Sequence, residues 1–372
     1  METIAHDVQP LSILFAAGGT GGHLFPAIAI AEEIKKLEPD ARIAFVGTKN
    51  KIEARIVPQK GFAFYTIWIS GFHRRLTLDN LLFPIKVVVS LFQSFFLLHK
   101  TRPDVVVGTG GYVCGPVLFA ATRMKVPTVV HESNSYPGVT TRMVASRVSR
   151  VFLAFDVTKQ WLPGVAADTM ELVGTPTRES LGKISHEEGL KYFDLHPQKK
   201  TLLVFGGSLG ATALNVAIAK IIDELVRTGV QVIWQTGEKE FEKYQSKRGD
   251  NIWVGKFINE MEFAYAAADL VMCRSGATTV AELIRQGKPA ILVPYPHAAA
   301  NHQEINAKVL VEAGAAVMIR DAEVETKALP AIREILSDDS QRVAMHEKSL
   351  VLGRPNAGKE IAEKILRLSS RT

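Results

Sequence analysis

The feature that most restricts this chain is a strand–helix alternation that starts again at its midpoint. Each half opens on a strand, a glycine loop and a helix: SILFAAGGTGGHLFPAIAIAEEI (residues 12–34) and TLLVFGGSLGATALNVAIAKII (residues 201–222). The β-branched runs RIAFVG, FYTIWIS, DVVVGTG, PTVVHE and RVFLAF follow the first opening, with helical stretches between them. After MELVGTPTRESL the pattern repeats with VQVIWQTG, IWVGKF, LVMCRSG, PAILVPYP and AAVMIR. Alternation of this kind builds parallel sheets covered on both faces. The expected fold is α/β, with two doubly wound Rossmann-like domains, 1–173 and 174–354, hinged at Gly174-Thr175-Pro176. The last helix, about 355–372, is placed to cross back onto the first domain. Ligands of such sheets bind at the carboxyl ends of the strands, at the switch in strand order. Two such domains facing a deep cleft therefore predict a donor on one side and an acceptor on the other.

An apolar content of 47% with 22% charged residues is that of a packed globular protein. Cys114 and Cys273 are the only cysteines, which excludes a disulfide framework and a cysteine metal cluster and fits a reducing cytoplasm. METIAHDVQP has no basic or apolar leader pattern, so a signal peptide is not expected. The net charge of +6 is uneven: residues 51–150 hold 13 Lys/Arg against 4 Asp/Glu, whereas residues 171–372 hold 26 of each. A basic face on one domain points to an anionic partner, which charge alone leaves open among nucleic acid, a phosphorylated substrate and a membrane.

Neither glycine loop fits a familiar nucleotide pattern. GGTGGH lacks G-x-G-x-x-G because residue 23 is histidine, no acidic residue ends RIAFVG, and Gly-Lys-Ser/Thr is missing. What remains is physical: glycines admit backbone N–H groups to a diphosphate, and a helix N-terminus adds a favourable dipole. A turn that only packs strand on helix is the plainer alternative. At the positive end of a helix His23 is expected to be neutral, hence able to accept a proton as a general base or simply to pack. CRSGATTVAELI (273–284) is another strand–turn–helix junction, with Ser275, Thr278 and Thr279 able to cap the helix or bind an anion. Glu282 can accept ribose hydroxyls or complement the helix dipole. PYPHAAANHQEINA (294–307) brings His297, Asn301, His302, Gln303 and Glu304 together, a density that suits sugar hydroxyls or ordinary capping. No Asp-x-Asp occurs and the histidines lack metal-site spacing, so no divalent ion is expected.

Residues 71–100 are the membrane candidate. Asp79, Pro84, Lys86 and Gln93 interrupt them, so a spanning helix is not expected. Leu76, Leu78, Leu82, Phe83 and Ile85 beside Arg74, Arg75 and Lys86 suit a monotopic patch on an anionic bilayer, whereas 87–98 reads as a buried helix.

In this order, GGTGGHLFPAIAIAEEI, GTGGYVCGPVLFAA, HESN, FGGSLGATALN, CRSGATTVAEL and NHQEINA resemble the MurG family of bacterial N-acetylglucosaminyltransferases, from about residue 11 to the last helix. The resemblance implies a GT-B fold and an inverting, metal-independent single displacement that needs no cofactor. UDP-GlcNAc is the implied donor, lipid I the acceptor and lipid II the product, in peptidoglycan synthesis. Thr20, Gly21 and Gly22 would approach the donor and acceptor sugars and the acceptor diphosphate, with Asn134 a further donor-side contact. His23 would take the proton of the acceptor 4-hydroxyl, with Glu132 a rival base or its orienting partner. Gly110, Gly111 and Tyr112 would line the acceptor side. On the donor side, Arg178 and Ser208 would meet the phosphates, the Ile258 backbone the uracil, Glu282 the ribose and Gln303 the sugar. The turn Ala277, Thr278, Thr279, Val280 and Ala281 would complete that site. Other implied partners are an anionic membrane surface, at the cytoplasmic face of the bacterial membrane, and cell-wall synthesis proteins; no nucleic acid is expected.

Three positions depart from the family pattern: Ser133 for Gln, Thr175 for Asn and Leu209 for Gln. None removes a residue assigned to chemistry. A nicotinamide oxidoreductase would need the glycine pattern and acidic residue that are absent. Another GT-B enzyme, such as a UDP-GlcNAc 2-epimerase or a glycolipid synthase, is the nearer alternative, and a non-catalytic sugar-nucleotide binder the third.

Overall fold

The computed structural model describes residues 10–71, 82–207 and 210–369. The chain divides into two compact units, one of 1–177 with 355–372 and one of 178–354. The first unit therefore runs four residues past the expected boundary at 173. Strand β7 (Met170–Leu172) and the residues after it stay bound to its sheet, where the Val173 and Gly174 N–H groups donate to the Leu153 carbonyl.

The first sheet is built from β1 (Ser12–Ala17), β2 (Arg42–Gly47), β3 (Ala63–Thr66), β4 (Val105–Gly110), β5 (Thr128–Glu132), β6 (Arg150–Leu153) and β7. Its order is β3-β2-β1-β4-β5-β6-β7, with every pair parallel. Helices α1 (Gly21–Leu37), α2 (Ile52–Gln59), α3 (Phe83–Thr101), α4 (Cys114–Arg123) and α5 (Val139–Val144) connect the strands. Alternate strand residues feed opposite cores, as the pleat dictates. Ile13, Phe15, Phe45, Val105 and Val107 meet α1 on one face. Leu14, Ala16, Val106 and Val130 meet α4 and the end of α3 on the other. The C-terminal helix (Ala357–Ser369) buries Ile361, Ala362 and Ile365 in the α1 core, and its Lys364 pairs with Glu171 of β7 at 2.5 Å. Of the expected strand FYTIWIS only the first part is extended ladder; the chain leaves the sheet after Thr66.

The second unit holds α6 (His186–Tyr192), β8 (Thr201–Phe205), α7 (Thr212–Arg227), β9 (Gln231–Gln235), α8 (Phe241–Tyr244), β10 (Ile252–Gly255), α9 (Met261–Ala267) and β11 (Leu270–Cys273). It continues through α10 (Ala277–Gln286), β12 (Ala290–Leu292), α11 (His302–Glu312), β13 (Ala316–Met318), α12 (Val324–Ser337) and α13 (Asp339–Val351). The parallel order is β10-β9-β8-β11-β12-β13. Trp234, fully buried, anchors the core under α7 and donates its indole N–H to Asn215 of that helix at 2.9 Å.

Helix α3 corrects two expectations. The residues expected to be buried include Val88, Phe92 and Phe96, which are 52%, 73% and 70% exposed and share one helix face with Ile85. The side facing the protein is instead Lys86, Ser90, Ser94, Leu97 and Leu98. The Ser90 and Ser94 hydroxyls are satisfied by the Val87 and Ser90 carbonyls of their own helix, which lets small polar residues pack without a stranded donor. Lys86, expected on the membrane patch, is buried: its Nζ hydrogen-bonds Ser70 Oγ at 3.1 Å and lies over the Trp68 ring. Leu82 is exposed and Phe83 half-buried, while Arg74, Arg75, Leu76 and Leu78 lie outside the described residues.

The C-terminal helix yields a stability prediction. Ile361→Ala should cost the first unit about 2–5 kcal/mol, the usual loss for a fully buried aliphatic side chain. Hydrogen exchange should show lost protection in β1 and α1, with second-unit amides unchanged.

Candidate active site

In both sheets the strand order reverses beside the first strand of the unit, between β1 and β4 and between β8 and β11. The loops leaving those strands are where such folds bind ligands, and each carries a glycine motif.

In the first unit the β1–α1 and β4–α4 loops touch through bare backbone. Gly110 and Gly111 have φ of 116° and 85°, and a Cβ on Gly111 would stand 2.2 Å from the Gly18 carbonyl oxygen. A Cβ on Gly110 would stand 2.4 Å from His23 Nδ1, so the imidazole lies directly against this backbone. The first turn of α1 is tied to β4 by Thr109 Oγ1, which donates to the His23 carbonyl at 2.7 Å. Cys114 bridges the same two strand ends: its single S–H is shared between the Ala16 and Gly110 carbonyls, and burial pushes its pKa up to about 12. It is a structural thiol rather than a nucleophile. Thr20 is the exposed N-cap of α1 and makes no side-chain capping bond, while Gly21 and Gly22 open the first turn, which holds no acidic residue. The resulting surface is backbone N–H, hydroxyl and imidazole, suited to an anion and a sugar.

Glu53 is a residue that sequence reasoning missed. Fully buried on α2, it accepts hydrogen bonds from the Gly19 N–H, the Thr48 N–H and the Thr48 hydroxyl, at 3.1, 3.1 and 2.8 Å. Tyr112 hydrogen-bonds Thr48 in turn, and its ring packs over Gly19, where a Cβ would lie 3.1 Å from Cε1. Burial raises the phenol pKa, with Thr48 opposing and Glu53 adding to the shift. One carboxylate thus ties the glycine loop, through the Gly19 N–H, to Thr48 at the end of β2. The only signal in the sequence was a lone Glu in an otherwise basic stretch.

Glu132 is similarly committed. Its Oε1 accepts from the Asn134 N–H and Nδ2, and its Oε2 from the Gly138 N–H and Thr141 hydroxyl at 2.9 and 2.6 Å. With four donors converging on it, this carboxylate organises the β5–α5 loop and presents Asn134. That occupancy argues against the expectation of Glu132 as a rival base. His131 beside it is buried, with its pKa lowered chiefly by desolvation. Its Nε2–H donates to the Gly174 carbonyl at 2.9 Å, so the Ser133 hydroxyl, 3.3 Å away, donates to Nδ1. Ser133, a departure from the family pattern, therefore satisfies the second nitrogen of a histidine whose tautomer the Gly174 carbonyl sets.

In the second unit Gly207 and Gly210 take φ of 86° and 78°, and a Cβ on Gly210 would meet the Thr236 carbonyl at 2.3 Å. Ser208 lies outside the described residues. The β11–α10 turn is stitched to α11 by Ser275, whose hydroxyl donates to the Gln303 carbonyl at 2.8 Å. Ser275 is thereby spent on structure. Thr278 differs: its Oγ1 is buried without a hydrogen-bond partner among the described residues, in the first turn of α10. Ala277, Thr279, Val280 and Ala281 complete that turn, with Val280 in the core. Glu282 is buried on α10, accepting from Tyr265 OH at 3.0 Å with Arg178 Nε 3.6 Å from its other oxygen. Burial raises its pKa; Arg178 and Tyr265 oppose that shift, and Glu262 adds to it. Gln303 accepts from the Tyr295 N–H through Oε1, which leaves its amide NH₂ for a sugar hydroxyl. Just before it, Ala300 and Asn301 both adopt left-handed φ of 51° and 55°, strain that non-glycine residues carry mainly at functional turns. The Ile258 N–H already donates to Gln235 Oε1 at 2.8 Å, so a uracil using that N–H must displace Gln235. Among the described residues no cluster of His, Cys, Asp and Glu is placed to hold a metal ion.

Residues 13–153 match the N-terminal domain and residues 201–365 the C-terminal domain of glycosyltransferase family 28. The chain is 39% identical to the UDP-N-acetylglucosamine–N-acetylmuramyl-(pentapeptide) pyrophosphoryl-undecaprenol N-acetylglucosamine transferase of Flavobacterium psychrophilum, over 97% of this chain and 98% of that one. It is 41% identical to the protein of the same description in Salinibacter ruber, over 96% and 97%. Among solved structures it is similar to Acinetobacter baumannii MurG, with a TM-score of 0.75 and 26% identity over 96% of this chain and 100% of that one.

Glu282 supplies a pH prediction. Its folded-state pKa is above the ordinary 4.5, so the folded chain binds the extra proton and stability falls as pH rises from 4.5 through the folded value. Glu282→Gln should flatten that slope in denaturant melts of the second unit.

Proposed function

The chain belongs to the MurG family within glycosyltransferase family 28, and from that membership we infer that it moves N-acetylglucosamine from UDP-GlcNAc to lipid I, the undecaprenyl-diphosphate-linked N-acetylmuramyl-pentapeptide, giving lipid II. The observation that carries this reading is near-full-length identity of about two in five residues with transferases of that description. The same identity favours transfer over the epimerase alternative.

The chemistry asks for a base at the acceptor hydroxyl and a place for the charge that leaves on UDP. His23 removes the proton of the muramyl 4-hydroxyl as that oxygen attacks the anomeric carbon, with inversion. The bond to the UDP oxygen breaks and its electrons leave with the diphosphate. Backbone N–H groups at the start of α10, Thr278 Oγ1 and Arg178 receive that charge without a metal ion. Glu282 accepts the ribose hydroxyls, kept ionisable by Arg178 and Tyr265, and the Gln303 amide binds the sugar. On the acceptor side Thr20, Gly21, Gly22, Gly110 and Gly111 offer backbone to the lipid diphosphate, while the β5–α5 loop presents Asn134 to the donor.

The same reading places the enzyme at the cytoplasmic face of the membrane, where an undecaprenyl acceptor must reside. Helix α3 supports this as an interfacial element. Its outward stripe of Ile85, Val88, Phe92 and Phe96 is apolar, while its inner side packs on the protein, which suits lying in the headgroup region rather than spanning it. Arg74 and Arg75 precede it in sequence and would meet anionic lipid.

His23→Ala should reduce transfer of labelled GlcNAc to a short-chain lipid I analogue by about 10²–10⁴-fold while donor affinity stays within twofold. Chelator should leave wild-type turnover unchanged; collapse on chelation would refute the metal-free mechanism. In flotation assays with anionic vesicles, Phe92→Asp with Phe96→Asp should abolish binding yet preserve transfer to the soluble analogue. Equal flotation of variant and wild type would remove α3 from the membrane reading.

A further inference from the structure

Beside the first-unit glycine loops lies a cavity of about 360 Å³ that no part of the mechanism above uses. It is within the size range of small-ligand pockets. Its walls include Thr48, Lys49, Lys51, Trp68, Gln93 and Tyr112. Tyr112 is shared with the acceptor loops, since the same ring packs over Gly19. The cavity therefore begins one side chain away from the loop assigned to the acceptor.

Its chemistry is specific. Trp68 is 47% exposed; its backbone N–H donates to Gln93 Oε1 at 2.7 Å, and Lys86 Nζ lies 5.9 Å from its ring centre. Lys49 and Lys51 are exposed, and among the described residues neither has an acidic partner, in a chain whose surface lysines are often paired. Thr48, by contrast, is locked onto Glu53, which makes the wall rigid. The result is two exposed cations without an ion-pair partner among the described residues, beside an exposed indole.

We propose that this cavity is the subsite for the peptide stem of the acceptor, with Lys49 and Lys51 reading its carboxylates and Trp68 packing against its backbone. The inference rests on the transfer reading above. Muramic acid carries its lactyl carboxyl on O3, next to the reacting 4-hydroxyl, so a peptide joined there must leave the site within a few ångströms of His23. A peptide attached through its N-terminus ends in a free carboxylate, whatever its sequence. A cationic pocket adjoining the acceptor loop matches that geometry and charge.

The test compares two soluble short-chain acceptors, one bearing the pentapeptide and one with the lactyl carboxyl capped as a simple amide; both keep the diphosphate. Lys49→Glu with Lys51→Glu should raise KM for the pentapeptide acceptor about fivefold or more at low salt, with kcat within twofold. The excess should shrink as ionic strength rises. KM for the capped acceptor should be unchanged, and so should the melting temperature. Equal weakening of both acceptors would mean that the lysines serve the diphosphate, and no change for either would mean that they serve neither; each overturns the proposal. If the wild type transfers to neither acceptor, the transfer reading itself falls, and the subsite with it.

Discussion

The contact on which the first-unit site depends is backbone against backbone: Gly111 lies so near Gly18 that a single methyl group would stand 2.2 Å from the carbonyl oxygen. That approach lets the β1–α1 and β4–α4 loops share one surface at the strand-order reversal. It also leaves room for the imidazole of His23 on Gly110. Everything around it holds the contact in place. Cys114 ties the strand ends together, Thr109 ties α1 to β4, and Glu53 fixes the Gly19 amide. A loop with little side-chain bulk has little packing of its own, so its shape must come from partners at its edges.

The two buried carboxylates show a common design. Glu53 and Glu132 each gather donors from a loop that the sheet alone would leave loose, and each does so at the carboxyl end of a strand or the helix that follows. Several charge-assisted bonds to backbone N–H groups make such an ion tolerable in the interior. Glu282 differs: it has one hydroxyl and one distant guanidinium, and burial raises its pKa. Under-satisfaction of that kind fits a group reserved for a ligand, whereas full satisfaction fits a scaffold.

Helix α3 inverts the usual rule for amphipathic helices. Serines and a lysine face the protein, while phenylalanines and aliphatics face outward. Hydropathy along the segment carries the amount of apolar surface but not its direction, which is why 87–98 read as buried. Small side chains can pack closely against a neighbouring helix at little cost once their hydroxyls bond to their own turn. The large apolar groups are thereby left on the exposed face.

Strand alternation, the paired glycine loops and the ordered motifs are local properties of the chain, and from them the two parallel sheets, the positions of their switch-point loops and the family were legible. So were His23, Glu282 and Gln303 as residues near those loops. The sequence could not rank the carboxylates, because whether Glu132 or Glu53 holds a loop or serves chemistry depends on how the chain turns donors onto them, from residues in the same loop for Glu132 and as far as the loop of the neighbouring strand for Glu53. Nor could it show that the Ile258 amide is spoken for, or that Lys86 is buried while Phe92 is exposed. Those outcomes are set by long-range packing, where each group's partners are chosen by the fold as a whole rather than by its neighbours in the chain.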